Sequence, residues 1–127
     1  MNAQRGSASA GPLSAYLSEL EPAAAASLGA IVDRAAELVP SAEQGATYGM
    51  PGLAYRGRPL LSLRQTREHL GYYPFSPAVV DAVAADLDGF SLSKGTVRFS
   101  LEQPLPAGIV DRMILARRDE IDAALDR

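Results

Sequence analysis

An α+β domain with helices packed on one face of an antiparallel sheet is the fold this chain predicts, and three observations carry that prediction. Apolar residues recur at helical spacing near both ends of the sequence. Between Glu43 and Phe75 that period fails, and short segments separated by Gly and Pro replace it. From Thr96 to Leu101, Val97, Phe99 and Leu101 alternate with Thr96, Arg98 and Ser100, the period of a sheet with one buried and one wet face. Helices, then a sheet of about five strands, then helices again give a two-layer arrangement rather than alternating βαβ units.

Taken in order, Met1 to Gly11 is rich in Gly, Ser and Ala without periodicity and reads as a disordered leader, leaving 12–127 as one domain. Pro12 to Leu20 is a short amphipathic helix through Leu13, Tyr16, Leu17 and Leu20, closed by the Glu21-Pro22 step, because the residue before a proline avoids helical geometry. Pro22 then suits a first helical position, and Leu28, Ile31, Val32, Ala35 and Leu38 form one stripe before Pro40. Gln44 to Tyr48, Leu53 to Arg56, Pro59 to Gln65 and His69 to Tyr73 are each of strand length, and Arg56-Gly57-Arg58 is a tight hairpin connection. Ser76 caps a helix with Pro77 at its start and Val79, Val80, Val83 and Leu87 along one side, ended by Asp88-Gly89. After the strand at Thr96 to Leu101, a last helix runs from about Pro106 to Leu125 on Ile109, Val110, Met113, Ile114, Ile121 and Leu125.

Composition bounds the function. At 127 residues, 47% of them hydrophobic, the chain can bury one core without staples. The absence of Cys removes disulfides, thiol nucleophiles and cysteine-based zinc sites. The start lacks the charged and apolar regions of a signal peptide and no apolar run is long enough to span a bilayer, so a cytoplasmic protein without membrane contact is expected. A net charge of −3 argues against a nucleic-acid partner, whose usual signature is a basic stripe. Charge is nevertheless segregated: Arg56, Arg58, Arg64 and Arg67 oppose only Glu68 between positions 52 and 75, whereas Asp119, Glu120, Asp122 and Asp126 crowd the end against Arg127. Both regions also suit an ordinary solvated surface.

Three segments concentrate the chemistry: Tyr48-Gly49-Met50-Pro51, His69-Leu70-Gly71-Tyr72-Tyr73-Pro74 and Ser93-Lys94-Gly95-Thr96-Val97-Arg98-Phe99, which hold the only His and the only Lys of the chain. With Gly57-Arg58-Pro59-Leu60, Pro104-Leu105-Pro106 and Arg117 in the same order, they resemble the YdhG-like family of small bacterial proteins, a domain of unknown function, over residues 13 to 120. The resemblance implies a compact domain of helices and antiparallel sheet. Some members are described as frataxin-like intracellular iron chaperones, so it also implies ferrous iron as a cargo. The chain departs from the family at Leu61-Ser62-Leu63, where members commonly carry an aromatic residue, at Arg67-Glu68, where they carry a Lys with Asn just before the His, and at Ala116 before Arg117, where an aromatic residue is usual.

Two functions follow. Iron delivery needs exposed hard oxygen ligands, and Asp119, Asp122 and Asp126 lie at i, i+3 and i+7 of one helical stripe, with His69 a further candidate. The same spacing is what any solvated helix shows. The alternative is a non-catalytic module that binds a small anionic metabolite in a pocket lined by Tyr48, Met50, His69, Tyr72, Lys94, Thr96, Arg98 and Arg117, through charge-assisted hydrogen bonds. Lys94-Gly95-Thr96 resembles only part of a phosphate loop, since the full spacing Gly-x-x-x-x-Gly-Lys-Ser/Thr is absent. One His supports neither a two-histidine iron centre nor a matched nucleophile, base and orienting group, so no enzyme is expected. Tyr48, Tyr72 and Tyr73 also fit as core aromatics with hydroxyls at the boundary, and His69 as a hydrogen-bonded structural residue.

Overall fold

The computed structural model describes residues 11–47 and 49–127. Its elements are α1 (Pro12–Ser18), α2 (Pro22–Leu38), β1 (Glu43–Thr47), β2 (Met50–Tyr55), β3 (Arg58–Gln65), β4 (Leu70–Tyr73), α3 (Pro77–Ala84), β5 (Ser91–Ser93), β6 (Thr96–Phe99) and α4 (Ala107–Leu125). The strands form one open antiparallel sheet in the order β1-β2-β3-β4-β6-β5. The α+β expectation holds, with six strands in place of about five. The strand missed is β5, whose three residues are too few for any alternation to register.

Proline opens α1, α2 and α3, where its missing N–H has no intrahelical acceptor to lose. Ser76 caps α3 as expected, its Oγ accepting the Val79 N–H at 3.2 Å. Gly11, which the sequence reading left in the leader, is the N-cap residue of α1 and accepts the Ala15 N–H at 3.0 Å. The rest of that leader, Met1 to Ala10, lies outside the described residues. Tyr16 ties α1 to the end of β3: its hydroxyl accepts the Gln65 N–H at 2.8 Å.

The β2–β3 hairpin turns at Arg56 and Gly57, both with positive φ (53° and 79°), the signature of a two-residue turn that matches strand twist. Arg56 is kept in that left-handed region by two carboxylates of α4: its guanidinium donates to Asp122 at 2.8 Å and to Asp126 at 2.9 Å. Two residue pairs past the turn a bulge breaks the register. Leu53 faces Leu61 but Ala54 faces Pro59, which leaves Leu60 unopposed and buried.

The four helices of the described residues lie on one side. Leu13, Leu28, Ile31, Ala35, Val79, Val83, Met113 and Ile114 meet Leu53, Leu61, Leu63, Leu70, Tyr72, Val97 and Phe99 of the sheet in a single core. Along β4 and β6 the residues between these, Gly71, Tyr73, Thr96 and Arg98, take the opposite face, because successive side chains of a strand alternate. No helix among the described residues covers that face. Leu101, expected to extend β6 into the core, is 45% exposed: β6 ends at Phe99, and the Ser100 N–H turns to the Gln103 carbonyl at 3.2 Å. No described helix is long and apolar enough to cross a membrane.

Candidate functional site

Strand register decides which of the sequence candidates meet. Gly71 of β4 is the partner of Arg64 on β3 and of Arg98 on β6, and Arg98 is in turn the partner of Ser91 on β5. A row of four strands therefore presents Arg64, Gly71, Arg98 and Ser91 side by side on the uncovered face. His69 precedes β4 at the end of the β3–β4 turn, where Thr66 holds it by both its N–H and its carbonyl: the His69 N–H donates to Thr66 Oγ1 at 3.2 Å, and the Thr66 N–H donates to the His69 carbonyl at 2.8 Å. The imidazole, Arg98, Ser91, Ser100 and Gln103 line a shallow depression of ≈ 230 Å³ with Gly89 and Phe99.

The guanidinium of Arg98 is held loosely. Its two terminal nitrogens donate to Ser91 Oγ at 3.3 Å and Ser93 Oγ at 3.4 Å, at the long end of such bonds, and no carboxylate pairs with it among the described residues. The contrast with the other arginines is sharp. Arg34 makes two 2.8 Å bonds to Asp111, Arg112 reaches Asp86 and the Ala82 carbonyl, and Arg117 donates to the Pro59 carbonyl at 2.9 Å and to Glu120 at 3.1 Å. Arg98 alone of these faces hydroxyls that any anion outcompetes.

The remaining candidates separate. Thr96 shares the face with Arg98 but stands opposite Ser93, farther along β6. Lys94 is exposed at the tip of the two-residue β5–β6 connection and does not line the depression. Met50 begins β2 at the far end of the sheet. Arg117 belongs to the helical side, where it is a bracket between α4 and the β2–β3 hairpin. Tyr72 is completely buried on the helix-facing side, its hydroxyl has no hydrogen-bond partner, and burial pushes its ionisation well above the ordinary tyrosine value. Tyr72 is thus a core aromatic, but its hydroxyl is buried and does not reach the boundary as expected, so it does not line a ligand pocket with Arg98. Tyr48 lies outside the described residues.

The aspartate stripe is real as a helical spacing but its members are occupied. Asp122 accepts the Tyr55 hydroxyl at 2.7 Å and the Arg56 guanidinium at 2.8 Å, Asp126 accepts Arg56 at 2.9 Å, and Asp119 accepts Arg118 at 2.9 Å. Among the described residues no three His, Asp or Glu side chains are grouped to hold a metal. Ferrous iron would have to displace arginines that sequence spacing could not reveal, since Arg56 is 66 residues from Asp122.

These bonds give a pH prediction. The Tyr55 hydroxyl and then Arg56 hold the Asp122 carboxyl below the usual carboxylate range, and Arg34 does the same for Asp111. A depressed folded-state value stabilises the fold at pH above the unfolded value, about 4, and that contribution disappears as pH falls through the folded value. The thermal midpoint is thus expected to fall modestly below about pH 4, as suits solvent-exposed ion pairs. Asp122→Asn should lower the midpoint at neutral pH and flatten this acid limb; an unchanged acid limb would remove Asp122 from the account.

A second concavity, an apolar groove of ≈ 320 Å³, runs between α2 and the start of α4 beside Ile31, Phe99, Leu105 and Val110. Its one charged lining residue, Arg34, is already saturated by Asp111 and Glu37. The only other polar side chain that lines it is that of Ser27.

Sequence reasoning missed Arg64 and Tyr73 as members of the uncovered face. The signal was present: Arg64 precedes Gln65 at the end of β3, and Tyr73 is two residues after Gly71, on the same side of the strand. What was lacking was the pairing of β4 with β6 across the intervening segment 74–95, which holds α3 and β5.

No protein-family model matches the chain, and no curated protein matches it. Among solved structures it is similar to the crystal structure of a protein from the DUF1801 family (YdhG) from Bacillus subtilis, with a TM-score of 0.76 and 16% identity, covering 87% of this chain and 90% of that one. At that identity the likeness is one of fold. It agrees with the YdhG-like architecture that the ordered motifs implied.

Proposed function

We propose that this chain, on a YdhG-like fold, binds a small anionic ligand on the uncovered face of its sheet, in the depression that His69 and Arg98 share with Ser91 and Gln103. The observation that carries the reading is the convergence of these two side chains, from segments 29 residues apart in sequence, in one depression without a carboxylate to neutralise them. A guanidinium resting on two hydroxyls is prepared for exchange: an anion replaces two neutral acceptors with one charged acceptor and forms stronger bonds. The iron-delivery reading has weaker support, because its three aspartates already serve Arg56, Arg118 and Tyr55.

A thermal-shift screen of phosphorylated and carboxylated metabolites tests the proposal. A ligand at about a hundred times its Kd raises stability by about 2.7 kcal/mol, which for a domain of this size is a shift on the order of 10 °C. Arg98→Ala should keep the unliganded midpoint and lose the shift. A stabiliser whose effect survives Arg98→Ala, with His69→Ala equally silent, would place the site elsewhere.

A further inference from the structure

We infer that the anion site is gated by pH through His69, whose protonation adds a second positive charge to the depression that holds Arg98, so that anions bind more tightly in mildly acidic than in mildly alkaline solution. The inference rests on the anion-binding reading above and adds its regulation. His69 is the only histidine of the chain, and imidazole is the side chain whose ordinary charge change falls between about pH 5 and 8. At the upper end of that range the depression is lined by one charged group, the guanidinium of Arg98. At the lower end it is lined by two.

The place of His69 in the fold makes its proton count. Together with Ser100 it lines two depressions: the one shared with Arg98, and a second of ≈ 150 Å³ formed by the β3–β4 turn and the segment after β6. The charged groups of the second are Arg67, Glu68 and Glu102, while Asp88, the neighbour of Gly89, lines neither. A proton on His69 therefore enters a surrounding of two cations and two anions. Among the described residues none of those lining groups forms an ion pair.

Thr66 fixes His69 by its main chain only, accepting from its N–H and donating to its carbonyl, and no described residue bonds the imidazole. Both ring nitrogens remain for solvent and ligand. A neutral imidazole donates one N–H and presents one lone pair, whereas imidazolium donates two N–H groups and carries a charge. Beside a guanidinium that rests on weak serine acceptors, the protonated ring adds a charge-assisted hydrogen bond to the same anion.

Sulfate is the probe, because it stays doubly charged throughout this range whereas a phosphate monoester itself titrates near about pH 6. Titration calorimetry on the full chain at matched ionic strength, at about pH 5.5 and about pH 8, brackets the ordinary imidazole value. Sulfate should bind roughly tenfold tighter at the lower pH, the scale of one added charge near the protein surface. Both conditions lie above the acid limb expected from Asp111 and Asp122. His69→Gln should bind sulfate equally at the two pH values, and Arg98→Ala should bind it at neither. With one histidine in the chain, the imidazole resonances of the unmodified protein give a readout that needs no variant. Linkage requires saturating sulfate to move their titration midpoint upward by about one pH unit for a tenfold gain in affinity. Equal wild-type affinity at the two pH values with an unmoved midpoint, or a pH dependence that survives His69→Gln, overturns the gate while keeping the anion site. No sulfate binding at either pH overturns the gate and the anion site together.

Discussion

Replacing Gly52 by Ala is expected to cost this protein about 3 kcal/mol or more of stability, the scale of severe overpacking, since among the described glycines it is the one whose Cβ would meet the closest neighbour. A Cβ at Gly52 would sit 2.3 Å from the Leu61 carbonyl oxygen and 3.2 Å from the Ser62 Cα. Both are backbone atoms of the paired strand β3, so no rotamer change relieves the overlap; the β2–β3 ladder has to open beside its bulge. Gly45 is the natural control, because it is the partner of Gly52 on β1 yet has nothing within 4 Å of its Cβ position. Urea unfolding of the two variants should give a large drop in midpoint for Gly52→Ala and a change within about 0.5 kcal/mol for Gly45→Ala, the range of ordinary surface substitutions. Similar midpoints for the two would refute the close-approach explanation.

Arg117→Ala should lower stability by about 2–3 kcal/mol, the range for a charge-assisted hydrogen bond lost from a largely covered site. The side chain is only 16% exposed and joins three elements. Its Nε donates to the Pro59 carbonyl on β3 and Nη1 donates to Glu120 on α4; Glu120 accepts the Ser76 hydroxyl at 2.7 Å, and Ser76 caps α3. Arg117→Lys should recover only part of the loss, because an ammonium cannot reproduce the two divergent N–H directions. The coupling is measurable in a double-mutant cycle with Glu120→Gln, expected to return an interaction of about 0.5–1 kcal/mol or more. A cycle that closes additively would mean that the bracket is not a unit. The same result would restore Arg117 as a candidate for ligand contact.

Much of the fold was legible because its determinants are local. Pro12, Pro22 and Pro77 mark helix starts by their fixed φ, Ser76 announces a cap, and the Arg56-Gly57 turn is written in a residue that tolerates positive φ. The alternation at Thr96 to Phe99 placed Arg98 and Thr96 on one wet face, where they are. The candidate site was legible only in part. His69 and Arg98 were identified and do share a depression. Tyr72, Lys94 and Arg117 were grouped with them because their motifs are rich in functional side chains, but strand parity sends Tyr72 inward, hairpin geometry leaves Lys94 at a tip, and Arg117 docks on the helical side. The aspartate stripe misled for a related reason: the helical spacing was correct, but the arginine that occupies Asp122 and Asp126 comes from a hairpin far away in sequence.

The sequence by itself therefore determined the helices and the five longer strands, their order and, Leu101 apart, which face of each is apolar, since propensity, capping and hydrophobic period act over a few residues. The tertiary structure decided which charged groups neutralise one another and which are left free. The strand order β1-β2-β3-β4-β6-β5 brings His69 and Arg98 to one depression, and the same packing closes Arg56 on the aspartates of α4. Strand pairing across a helix and helix-to-hairpin docking are long-range contacts, and the charge left uncompensated after they form is a property of the whole assembly that no local pattern encodes.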